Sequence, residues 1–153
     1  MKNNYLITAI IFVSTNAFSQ IKVIQNNELL PIGKIEAVGL FKKSNDYTFT
    51  YQDINNANLN GYRSFSFKNL NNDVDNLYQI IQKALIDMPD SDIILEFPKD
   101  LIHLHFKKNY GENTMQFIHF VNKNRKYVGK SHFLTKNQVD KLFGKSIKNE
   151  NRK

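Results

Sequence analysis

Apolar and polar residues alternate with a period of two along most of this chain and switch to a helical period in its middle. From Asp46 to Asp53 the alternation is clean, with Tyr47, Phe49 and Tyr51 on one face and Thr48, Thr50 and Gln52 on the other. That period predicts a strand with one buried face. Ile35 to Lys42 reads as the strand before it, joined through a Ser44-Asn45 turn, so the two form a hairpin. Gln20 to Ile32 reads as an N-terminal arm or a short first strand. An Asn-rich loop closed by Asn60-Gly61 leads to a third strand, Tyr62 to Lys68, with Phe65 and Phe67 on one face.

The period then changes. Val74, Leu77, Ile80, Ile81, Ala84, Leu85 and Met88 recur at steps of three and four and predict an amphipathic helix. Asn71 or Asn72 is placed to cap its start, and Pro89 stops it. Four strand candidates follow: Ile93 to Phe97, Leu101 to Lys108, Met115 to Val121 and Lys126 to Leu134. Thr135 and Gln138 have capping-box spacing and open a short helix carrying Val139, Leu142 and Phe143, which Gly144 ends. Hairpin-length connections force antiparallel pairing. The expected fold is therefore α+β: an antiparallel sheet of about six to seven strands, one long amphipathic helix and one short C-terminal helix. Val74-Asp75-Asn76-Leu77-Tyr78 is echoed by Val139-Asp140-Lys141-Leu142-Phe143, which leaves both duplication and convergence open.

The first 19 residues carry a different pattern. Lys2 is followed by the apolar run Tyr5 to Val13 and then by Ala17-Phe18-Ser19. This is the order of a secretory signal peptide, with cleavage expected before Gln20. The run is shorter than the roughly 20 residues that span a bilayer, so no transmembrane segment is expected after signal removal. Residues 20–145 then form one expected domain and residues 146–153 a disordered basic tail. The expected location is periplasmic or secreted.

Composition narrows the chemistry. The chain has no cysteine, which removes disulfides, thiolate catalysis and lipid attachment at cysteine. Charge is uneven: Gln20 to Pro98 carries a net −3, and Lys99 to Lys153 a net +9. Such asymmetry points to an anionic partner or simply to a solvated, soluble surface. The cations that could gather into a patch are Lys107, Lys108, Lys123, Arg125 and Lys126.

Candidate catalytic chemistry is sparse. His103 and His105 lie two apart on a predicted strand and share a face. A hairpin closing through Asn109 to Asn113 would set His103 opposite His119, giving three imidazoles that could bind zinc or copper. A bare His-x-His without a further motif favours wet polar residues, so no metal or other cofactor is expected. Ser131 and His132 are strand neighbours pointing to opposite faces and cannot form a nucleophile–base pair. The aromatic strand face is expected to receive the helix stripe rather than to stack bases, and no nucleic acid is expected as partner. The sequence thus favours an exported binding module of a bacterial envelope that meets an anionic lipid head group, polysaccharide or acidic protein. A metal- or carboxylate-dependent hydrolase and an inhibitor-like protein are the alternatives.

Overall fold

The computed structural model describes residues 28–56 and 61–145; the segment read as a signal peptide, the Asn60 turn position and the expected basic tail lie outside this range. Nine strands and two helices follow in the order β1 (Leu30–Ile35), β2 (Val38–Lys43), β3 (Asp46–Gln52), β4 (Tyr62–Lys68), α1 (Asp73–Asp87), β5 (Ile93–Glu96), β6 (Leu101–Asn109), β7 (Glu112–Phe120), β8 (Val128–Lys130), β9 (Leu134–Thr135) and α2 (Lys136–Leu142). The class is α+β, and all strand pairing is antiparallel. The strands form two sheets rather than the one expected. The first is β1-β2-β3-β4; the second is β5-β6-β7-β8 with β9 also on β7.

Two expected strands divide. The segment read as one strand from Ile35 turns at Glu36-Ala37, so the N-terminal arm contributes β1 as the partner of β2. The Lys126 to Leu134 segment breaks between β8 and β9, where Ser131 adds side-chain bonds to its backbone bond with Phe117. Its hydroxyl accepts the Phe117 amide at 3.0 Å and donates to the His132 carbonyl at 2.8 Å. Ser131 is fully buried and holds the strand in place.

Helix α1 buries Leu77, Ile81, Ala84 and Leu85, the centre of the expected stripe, while Ile80 stays exposed. Its start is held differently from expectation. Asn72 sits at the cap position in left-handed backbone without a side-chain cap bond. Instead Asp73 accepts the Leu70 amide, and Asn69 accepts the amide of Val74. The Thr135–Gln138 capping box of α2 is complete in both directions.

Each helix leaves the meander that precedes it. Helix α1 follows the first sheet yet packs on β6 and β7 of the second, and α2 follows the second yet packs on β1 and β2. Gly33 permits the close approach of β1 to α2, because a Cβ there would strike the Lys141 and Leu142 carbonyls. The aromatic face of β3 and β4 therefore meets the other sheet and α2, a correction to the expectation that it receives the α1 stripe. Phe49 stacks on Phe65 and contacts Phe117 and Phe143, with ring centroids 5.1, 5.3 and 5.7 Å away. Asp140 ties the two helices together, accepting hydrogen bonds from Tyr78 and Gln82, both at 2.8 Å. Burial first, and then the Asp140 carboxylate, push the Tyr78 phenol up to about 12.

Candidate functional site

The positions of His103, His105 and His119 follow from one turn. Tyr110 and Gly111 both have positive φ, 49° and 86°, and form a two-residue turn that pairs Asn109 with Glu112. Positive φ at both central residues matches the strand twist of a tight hairpin. The register therefore sets His103 opposite Ile118 and Ile102 opposite His119. It differs by one residue from that of a hairpin closing through Asn109 to Asn113. A slip of one residue sends a side chain to the other face of the sheet. His119 is thus separated from His103 and His105, and the three-imidazole face does not form.

His119 lies in the interior, 1% exposed, and its ring packs edge-on to Phe65 and Tyr51. Its Nδ1 is 2.9 Å from the Tyr51 hydroxyl. Burial, reinforced by the nearby Asp53 charge, raises the Tyr51 phenol far above its ordinary range. Tyr51 therefore stays a neutral hydroxyl hydrogen-bonded to Nδ1. Nε2 lies 3.2 Å from Asp100 Oδ1 but lacks the alignment of a hydrogen bond. The same Asp100 oxygen accepts the Asn122 amide at 2.9 Å.

Beside this chain sits a second buried acid. Asp53 is 3% exposed and pairs with the Arg63 guanidinium. It also accepts the Lys130 and Asn55 amides, each at 3.0 Å. Burial opposes its charge, yet the Lys130 amide, Arg63 and the Asn55 amide together hold it below the usual carboxylate range. Gly129 completes the packing: a Cβ there would strike the Tyr51 hydroxyl and the Arg63 side chain.

On the opposite face of β6, His103 and His105 converge on Asp92. His105 Nδ1 is 2.8 Å and His103 Nδ1 3.4 Å from its two carboxylate oxygens. Asp92 thus positions both rings. Among the described residues no group of three or more His, Asp or Glu is arranged to hold a metal ion.

The basic candidates divide between two ends. Lys107 pairs with Thr114 near the β6–β7 turn, whereas Leu101 pairs with Phe120 beside the β7–β8 loop. Six residues of strand at about 3.4 Å each separate them by roughly 20 Å, so Lys107 and Lys108 do not join the others. Lys123, Arg125 and Lys126 share the far loop, and Lys99 in the β5–β6 turn adds to that end. Lys123 is 2.6 Å from Glu96, which its charge holds below the usual carboxylate range. The loop is locked internally: the Val121 amide bonds to the Tyr127 carbonyl at 3.0 Å, and Asn124 accepts the Tyr127 amide at 3.2 Å and the Lys126 amide at 2.9 Å. Asn122 and Lys123 hold left-handed backbone, which the Asn122–Asp100 bond fixes.

A cleft of about 970 Å³ opens between β4, β5 and α1 over Phe65, Phe67 and Phe97. Of the buried network only Asp100 reaches it. No described helix is long and apolar enough to cross a membrane. Comparisons with protein-family models, curated proteins and solved structures give no match.

Proposed function

We propose that this chain is an exported binding module of a bacterial envelope that meets an anionic partner through the β7–β8 loop. The observation that carries this reading is the locked backbone of Val121 to Tyr127, which projects Lys123, Arg125 and Lys126 into solvent from a hydrogen-bonded frame. A loop held in one shape loses little conformational entropy on binding. Lys99 from the neighbouring turn extends the same positive end. Export rests on the signal-like order of residues 1–19, and the expected location stays periplasmic or secreted. An inhibitor directed at an acidic enzyme surface would use the same loop. The hydrolase reading gains no support from the described residues, since Ser131, Tyr51 and His119 are spent on internal contacts.

Retention on an immobilised polyanion such as heparin tests the reading. Wild type should elute only as salt rises, because exposed charges are screened over about 8 Å at physiological ionic strength. Arg125→Glu with Lys126→Glu should elute at clearly lower salt with an unchanged melting temperature. Wild type passing straight through at low salt would sink the proposal.

A further inference from the structure

The basic loop does not stand alone at its end of the molecule. Tyr127, the last residue of the loop, is 61% exposed. A second exposed apolar side chain belongs to the same end: Ile54 at 37%. The backbone shows why they are neighbours. The Asn55 amide side chain bonds to the carbonyl of Val128 at 3.1 Å, which sets the turn holding Ile54 against the residue after Tyr127. The acids of this end are already engaged: Asp53 with Arg63, Glu96 with Lys123, and Asp100 with the Asn122 amide. Lys99, Arg125 and Lys126 make no ion pair among the described residues.

We propose that this end docks on an anionic lipid bilayer surface, with Tyr127 and Ile54 entering the head-group region and Lys99, Arg125 and Lys126 meeting lipid phosphates. The inference rests on the proposed function and names its partner. Charge complementarity makes the first argument, since lysine and arginine near an anionic leaflet are each attracted within a Debye length. The side chains between the cations make the second. Tyrosine concentrates where membrane meets water, because its ring is apolar and its hydroxyl stays wet. A soluble polyanion would use the cations and leave Ile54 without a role. The opposite end of the molecule provides a control. It exposes Tyr110 completely and carries Lys107 and Lys108, but Glu112 and Asp87 stand among them.

Co-sedimentation of the chain from Gln20 onward, the expected exported form, with vesicles tests this. One set is phosphatidylcholine alone, and the other contains about a quarter phosphatidylglycerol. Wild type should pellet with the anionic set alone and be released by salt. An apolar N-terminal segment left in place would instead carry the protein to neutral vesicles. Arg125→Glu with Lys126→Glu should lower binding at least about tenfold. Tyr127→Ser with Ile54→Ser should weaken vesicle binding at least about threefold while leaving elution from heparin unchanged. Tyr110→Ser should change neither, and matched melting temperatures establish that the variants fold. Three outcomes overturn the inference. Retention on heparin without binding to anionic vesicles makes the partner a soluble polyanion and leaves the proposed function standing. Vesicle binding untouched by the Tyr127 and Ile54 changes removes the interfacial role of these side chains. Indifference to both heparin and vesicles defeats the proposed function itself.

Discussion

Tyr51 and His119 meet in the interior, hydroxyl to Nδ1 at 2.9 Å, although 68 residues separate them in the chain. The contact is a buried polar link between the two sheets, one partner coming from β3 and the other from β7. Leaving a buried hydrogen-bonding group without its partner costs about 1–3 kcal/mol. Tyr51→Phe keeps the ring and deletes the hydroxyl, so it should destabilise the fold by that amount in urea denaturation. A loss below about 0.5 kcal/mol would mean that the pair does not link the sheets energetically.

The Asp53–Arg63 pair sets a pH dependence. Asp53 has a folded pKa below its unfolded value of about 3.9. Its charged form therefore adds stability that is fully present above that unfolded value and is lost as pH falls towards the folded one. Asp53→Asn should lower stability at neutral pH and flatten the decline between about pH 5 and pH 3. Equal slopes for wild type and variant on the acid limb of a melting-temperature profile would refute the assignment.

The apolar seam between α1 and the second sheet should dominate the energetics. Ile81 is fully buried among β6 and β7 side chains. Ile81→Ala should cost about 2–5 kcal/mol, since it removes apolar contact and leaves a cavity. Ile86→Ala, at an exposed position on the same helix, should stay within about 0.5 kcal/mol. Comparable midpoints for the two variants would show that α1 is not packed as described.

These elements differ in how far the chain announces them. The Tyr47-Phe49-Tyr51 alternation, the α1 stripe and the Thr135–Gln138 box are local patterns, and each formed where its residues predict. The division into two sheets is not local, because an alternating strand looks the same whichever neighbour it pairs with. Register was the decisive loss for the site. The Tyr110-Gly111 turn carries a glycine signal, yet the tyrosine at positive φ hides it, and one residue of slip moved His119 from the outer face to the core. Tyr51 and Asp100 could not be recognised as its companions, since nothing in sequence joins residues so far apart. The separation of Lys107 from Lys123 was readable in principle, because the start and end of a nine-residue hairpin arm point to opposite ends of the molecule.

The exchange of helices between the two meanders has a consequence for the order in which the chain can mature. Helix α2 follows every described strand in chain order, and it closes over β1 and β2, the first two of them. The first hairpin therefore keeps part of its apolar face uncovered until α2 has formed. Contacts between distant parts of a sequence slow folding. The exchange makes α2 the cover of the first hairpin: a chain cut before Leu142 would keep that hairpin open to proteases.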